Sequence, residues 1–304
     1  MVEKWIVLSP IEDLDIETKI LTIADVRFYR LTTAQMAQWK SFKKLEERGL
    51  KEFCKLFTDH VCALVEVQSV DKDAAFEKAS LRIKSALDTL RIFKGKCELR
   101  EPRGAVIKNK RTGKEEYSWF KAKWTQISAW PWTCKITNAE QRTLGNLTKH
   151  LEPFLRNPNS CELNRKIIRS LRWSADATQE IDEADRILKC VTALECILLE
   201  EWRDKAKLLA ERVAVILTSN NANRNKIFSD IKSLYELRNC IVHGEKYQIN
   251  KKDRQILDWV SRNLVVEVAN LAKKHSFTKT KDVINFVNQQ KGGWKAPMVA
   301  LRPC

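Results

Sequence analysis

The sequence predicts an α+β chain in two parts, a mixed α/β region over residues 1–155 followed by an all-α helical bundle over 156–304. Three observations carry this. Short β-branched and apolar runs such as Cys62-Ala-Leu-Val-Glu-Val67 fall in the first part and read as buried strands. From about residue 138 onward the apolar residues keep a helical period. Glycine (8) and proline (7) are scarce among 304 residues, which points to long helices with few tight turns and little linker.

In the first part, Trp5-Ile-Val-Leu8 and Ile20 to Tyr29 read as strands, and a polar, charged helix follows over about residues 33–57. After the Cys62–Val67 strand, Asp71 and Asp73 supply capping chemistry for a helix from about Ala74 to Phe93. Its apolar positions include Phe76, Ile83, Leu87 and Leu90, one broad packed face. Cys97 to Glu101, Ala105 to Asn109 and Glu116 to Trp124 read as strands, the last two joined at the Arg111-Thr-Gly113 turn. Asn138-Ala-Glu-Gln141 looks like a helix cap, and that helix ends near Pro153 or the Asn157-Pro-Asn-Ser160 turn, where the domain boundary is placed. Further helices are expected over about 161–177, 180–202, 204–218, 222–243, 251–274 and 280–290. Asp253, Ile256, Leu257, Val260, Leu264, Val268 and Leu271 illustrate their period, and the short connections imply antiparallel neighbours.

Lys and Arg total 55 against 39 Asp and Glu, a formal net charge of +16, which favours anionic partners, nucleic acid before acidic membrane. Residues 1–158 hold 29 basic and 21 acidic side chains and the rest hold 26 and 18, so each part carries +8 and charge does not choose between them. The nine cysteines are scattered, form no Cys-x-x-Cys pair and have only four histidines beside them, so neither a zinc site nor any other metal or cofactor is expected. Cys190, Cys196 and Cys240 fall in apolar helical patterns, as small hydrophobes do. The start at Met1-Val-Glu-Lys-Trp5 is unlike a secretory signal, and no apolar run reaches the length of a membrane span. The expectation is a cytoplasmic protein with no membrane partner, in a reducing compartment.

The segment Leu234-Tyr-Glu-Leu-Arg238-Asn239-Cys-Ile-Val-His243-Gly244 carries the chemistry. Gly244 stands where a helix C-terminal glycine belongs, which puts His243 in the last turn. Asn239 and His243 are four residues apart and share a face, with Arg238 about 100° further round. These residue types suit phosphodiester cleavage. RNA carries its own nucleophile in the 2′-hydroxyl. The protein then has to supply a proton shuttle, which His243 suits because imidazole titrates near neutrality. It also has to stabilise the phosphorane oxygens, which Arg238 suits because guanidinium stays charged. Asn239 orients the imidazole or donates to the phosphate, and no metal is required. Two bland readings stand beside this one: a His in a last turn complements the helix dipole anyway, and Arg238 could form a structural bridge with Glu195 or Glu236.

Residues 168–274 resemble the HEPN superfamily, and within it the Apea-like branch. The likeness rests on four segments in order: Trp173-Ser-Ala-Asp-Ala177, which opens one helix; Asp185-Arg-Ile-Leu188 leading to Thr192-Ala-Leu-Glu195; Glu211-Arg-Val-Ala-Val-Ile-Leu217; and the Arg238-Asn239 to His243 stretch. The last matches the superfamily's Arg-x(4–6)-His motif, with its preferred Asn after Arg. The strand Cys62–Val67 and the helix after it carry a weaker likeness to the mixed region upstream in Apea-like proteins. The resemblance implies a metal-independent endoribonuclease of toxin or anti-phage type, of the kind used in abortive infection, that acts as a homodimer with two motifs meeting at the interface. Arg238, Asn239 and His243 are then the catalytic set, Glu195 a supporting residue if it faces them, RNA the substrate, and a phage-derived or antitoxin protein a further partner. The alternative is a non-catalytic dimerisation or sensing module whose N-terminal half binds a nucleic-acid or protein trigger.

One more stretch fits RNA. Residues 91–123 hold 11 basic against 4 acidic side chains, with Tyr117, Trp119 and Trp124 interleaved. Lys108, Lys110, Arg111, Lys114, Lys121 and Lys123 are the candidate phosphate contacts. A solvated hairpin with its aromatics in the core is the favoured bland reading. Trp130-Pro-Trp132 packs a domain junction or forms an aromatic platform, and His60, His150 and His275 read as structural.

Overall fold

A computed structural model of the chain describes residues 2–47, 50–95, 99, 102, 104–119, 133–201 and 203–297, apart from the side chains of 118 and 119. The chain divides into two compact units, Met1–Arg156 and Asn157–Cys304.

In the first unit the strands are β1 (Glu3–Ile11), β2 (Leu14–Ile16), β3 (Leu21–Ile23), β4 (Val26–Arg30), β5 (Val61–Ser69), β6 (Gly104–Asn109), β7 (Glu115–Trp119) and β8 (Cys134–Ile136). The helices are α1 (Thr33–Ala37), α2 (Lys40–Glu47), α3 (Lys51–Asp59), α4 (Lys72–Lys94) and α5 (Asn138–Arg156). Six strands form one antiparallel sheet in the order β3-β4-β5-β1-β6-β7. Residues Val61 to Val65 of β5 are all buried because both faces of the sheet are covered. Cys62 and Leu64 join Phe42, Leu45, Phe53 and Phe57 of α2 and α3 in one cluster. Val61, Ala63 and Val65 point to the opposite face by strand alternation, and α4 packs against β5, β1 and β4. Asp71 caps α4 by accepting from the Ala74 backbone N–H at 2.8 Å.

Several local expectations change. Ile20–Tyr29 is a hairpin rather than one strand: Ala24 takes φ 55°, and the chain reverses between β3 and β4. The single helix expected over 33–57 is three helices. The ring centres of Phe42 and Phe57 lie 4.9 Å apart, whereas a straight helix would hold positions fifteen residues apart about 22 Å from each other. The break brings those rings together. The cap of α5 is Thr137, whose hydroxyl accepts from the Glu140 N–H while the Glu140 carboxylate accepts from the Thr137 N–H, so Asn138 is already helical. That helix runs past Pro153 to Arg156. The β2–β8 pairing is parallel and three residues long, too short for a periodic signal. The expected strand Cys97–Glu101 lies almost wholly outside the described residues, as does the expected strand beyond Trp119.

In the second unit the helices are α6 (Glu162–Thr178), α7 (Glu183–Leu198), α8 (Lys205–Leu217), α9 (Asn221–His243), α10 (Lys251–His275) and α11 (Thr280–Gln290). Trp173–Ala177 closes α6 and does not open a helix. Asp182 starts α7 by accepting from the backbone N–H groups of Ala184 and Asp185, later than the pattern suggested. α6 packs on α7, α8 on α9, and α10 against α6, α7 and α8. Leu194, Ile197, Val213, Phe228, Ile231, Leu264 and Val268 are in the core they share. Among the described residues no helix is long and apolar enough to cross a membrane.

Candidate active site

The site is built at the C-terminal end of α9. Asn220 starts that helix by accepting from the backbone N–H groups of Ala222 and Asn223. Phe228, Ile231, Leu234, Tyr235, Leu237 and Cys240 anchor it in the bundle. Gly244 ends it at φ 69°, a conformation that strains any residue with a Cβ. The N–H of Glu245 reaches the Cys240 carbonyl at 2.9 Å and that of Gly244 reaches the Ile241 carbonyl at 3.2 Å, a Schellman closure. His243 therefore stands in the last turn and is exposed, as expected.

Arg238 and Asn239 sit half-buried one turn earlier. Helical geometry puts His243 about 40° from Asn239 but about 140° from Arg238. The Arg238 guanidinium makes up part of that difference by donating through Nη1 to Asn239 Oδ1 at 3.3 Å. It also lies 5.7 Å from the ring centre of Tyr235, within cation–π range. Among the described residues it pairs with neither Glu195 nor Glu236, so the structural-bridge alternative is not what the fold adopts, and its charge is left without a carboxylate.

Glu195 reaches the motif indirectly. It projects from α7, which packs on α9, and accepts a hydrogen bond from the Tyr235 hydroxyl at 2.7 Å. Glu195, Tyr235, Arg238 and Asn239 thus form a continuous string of contacts. Sequence reasoning did not single out Tyr235. The available signal was its position three residues before Arg238, on the neighbouring turn. Burial, then the hydrogen bond and charge of Glu195, push the Tyr235 hydroxyl well above the usual tyrosine range, against a smaller opposing pull from Arg238. Tyr235 is therefore a neutral donor that fixes Glu195 and carries Arg238 on its ring, and it is not a base.

This coupling has a consequence for stability. The folded state holds the Tyr235 proton more tightly than the unfolded chain, which releases it near pH 10. The stabilisation is fully present below about pH 10 and is lost as pH rises through the higher folded value. Tyr235→Phe is expected to cost about 1 kcal/mol at pH 7, because the Glu195 acceptor loses its donor. It should also flatten the alkaline decline. Tyr29, pushed by burial to about 12, titrates in both proteins and cancels in the comparison. Denaturant midpoints between pH 7 and 11 measure this, and equal slopes for the two proteins would refute it.

The basic set on the β6–β7 hairpin is not an open cationic strip. Lys108 pairs with Glu115 at 2.9 Å, Lys110 with Glu66 at 3.1 Å, Lys114 with Glu116 at 2.7 Å, and Arg111 with Glu3. Asn109 and Arg111 together hold the Glu3 carboxyl below its ordinary range, and Lys114 and Lys72 do the same to Glu116. Tyr117 packs on the α2–α3 cluster, as the bland reading had it. Lys121, Lys123, Trp124 and Trp130-Pro-Trp132 lie outside the described residues, as does the side chain of Trp119.

His275 stacks on Phe277 with ring centres 5.2 Å apart and meets Phe286 at 5.0 Å, so this exposed, helix-terminal ring also makes aromatic contacts. Burial pushes the Cys190 thiol up to about 11 and raises that of Cys196. Cys240 is buried and disulfide-bonded, which corrects its reading as an unpaired small hydrophobe. Among the described residues no group of three or more His, Cys, Asp or Glu side chains is placed to hold a metal ion.

No protein-family model matches the chain, and no curated protein or solved structure does either.

Proposed function

We propose that the helical unit is a metal-independent endoribonuclease of HEPN type, with His243 as proton shuttle, Arg238 as phosphate clamp and Asn239 between them. The observation that carries this reading is the state of Arg238. Its guanidinium is held by an amide and an aromatic ring, among the described residues no carboxylate pairs with it, and an exposed histidine stands in the last turn of the same helix. An oxyanion developing there would meet an uncompensated, preorganised cation. The 2′-hydroxyl of the substrate gives its proton to His243 and attacks the adjacent phosphorus, the P–O5′ bond breaks, the 5′-oxygen leaves with a proton returned through His243, and a 2′,3′-cyclic phosphate forms. Toxin or anti-phage defence is the setting the resemblance implies, with a phage-derived or antitoxin protein as regulator.

The deciding experiment is incubation of the purified full chain with RNA in excess EDTA. Cleavage should persist and leave 2′,3′-cyclic or 3′-phosphate ends. Strict dependence on a divalent ion, with 3′-hydroxyl ends, would overturn the chemistry. No cleavage by the wild-type chain would favour the sensing or dimerisation module instead.

A homodimer is part of the proposal. One Arg-Asn-His set is small for a polyanion, and Val242 and Tyr247 flank His243 at 51% and 47% exposure, apolar surface suited to an isologous contact. Light scattering at micromolar concentration should give at least twice the mass of the chain. An active monomer would refute the shared site.

A further inference from the structure

The helical unit also carries a cavity of about 460 Å³, between the end of α8, the first half of α9 and α10, with no part in the site above. That volume falls in the usual range for small-ligand pockets. Its walls combine aliphatic side chains, Leu217, Ile227, Ile231, Ile256 and Val260, with three further kinds of group. Trp259 lines it and is 47% exposed, so part of an aromatic side chain is open to a partner. Asn223 and Gln255 bring two exposed amides, each able to donate and accept. Lys226 and Lys252 supply cations at the rim. Lys252 is committed to Asp230 at 2.7 Å, which cancels that carboxylate. Among the described residues Lys226 forms no ion pair, so it is the uncompensated charge.

We infer that this cavity is a nucleobase subsite for single-stranded RNA, with an unstacked base on Trp259, its edge read by Asn223 and Gln255, and its phosphate on Lys226. The inference deepens the ribonuclease reading and rests on it. Stacking on an aromatic face with a cation on the backbone is the way proteins hold unpaired bases. Placement supports the assignment. Ile231 lines the cavity on α9, and Arg238 lies seven residues later in the same helix, about 10 Å along the axis. The subsite would then decide which base stands at a set distance from the cut.

The test uses the full chain carrying His243→Ala, to prevent cleavage, and fluorescence anisotropy of a labelled 12-nucleotide single-stranded RNA. Trp259→Ala should weaken binding about tenfold, and Trp259→Phe should stay within about threefold because a ring is retained. Lys226→Gln should weaken binding severalfold and lower the salt slope by about one. A duplex of the same sequence should be indifferent to Trp259, since its bases stay stacked. Both side chains are exposed, so melting temperatures should hold, and the Phe and Gln variants remain informative if the Ala variant melts early. Equal RNA affinity across all variants overturns the subsite. So does binding of free AMP as tight as that of the 12-mer, which would make the cavity a mononucleotide site. Wild-type cleavage is followed in parallel. Cleavage without any Trp259 effect removes the subsite and leaves the nuclease, whereas Trp259-dependent binding without cleavage removes the nuclease and leaves the subsite.

Discussion

His243→Ala is expected to reduce RNA cleavage about 10²–10⁴-fold, the usual contribution of a positioned general acid–base group. The side chain stands exposed in the last turn of α9, and the helix is closed behind it by Gly244 and the Schellman hydrogen bonds. Neither closure nor packing uses the imidazole. The loss should therefore come with an essentially unchanged melting curve, apart from the few tenths of a kcal/mol that a helix-end cation contributes. Cleavage rate and thermal melt, measured on one preparation, separate the outcomes. Activity equal to wild type would remove His243 from the mechanism. Activity lost only in step with unfolding would restore its bland reading as a helix-end charge.

Arg238→Ala should cost about 10²–10³-fold, comparable to removing one preorganised donor from an oxyanion site. Arg238→Lys should recover only part of this. The donation to Asn239 and the contact with the Tyr235 ring both use the planar guanidinium, and an ammonium makes neither in the same geometry. Asn239→Ala should fall between Arg238→Ala and wild type if the amide only orients its neighbours. The ordering of the three variants is more diagnostic than any one of them. A Lys variant as active as wild type would mean that Arg238 acts only as a point charge. An Ala variant as active as wild type would remove it from the site.

The broad plan, a mixed α/β part before about residue 138 and helices alone after it, was readable from the sequence, because periodicity is a local property. Alternating and 3.6-residue patterns register a buried face whatever that face packs against. The six helices of the second unit and the Gly244 stop were legible for this reason, and so was the placement of Arg238, Asn239 and His243 on the last turns of one helix. The tertiary structure decided everything that rests on pairing across the chain. Fifteen residues separate Phe42 from Phe57, and only the break between α2 and α3 brings their rings together. The basic residues of the β6–β7 hairpin were candidate phosphate contacts in the sequence, which carries no sign that Glu3 and Glu66, far away along the chain, close on Arg111 and Lys110. Arg238 had Glu195 as a conceivable partner, but the fold interposed the Tyr235 hydroxyl, forty residues from Glu195 along the chain, and among the described residues the guanidinium pairs with no carboxylate. Ion pairs form between whichever charges the core brings within a few ångströms, and composition and spacing carry no record of that proximity.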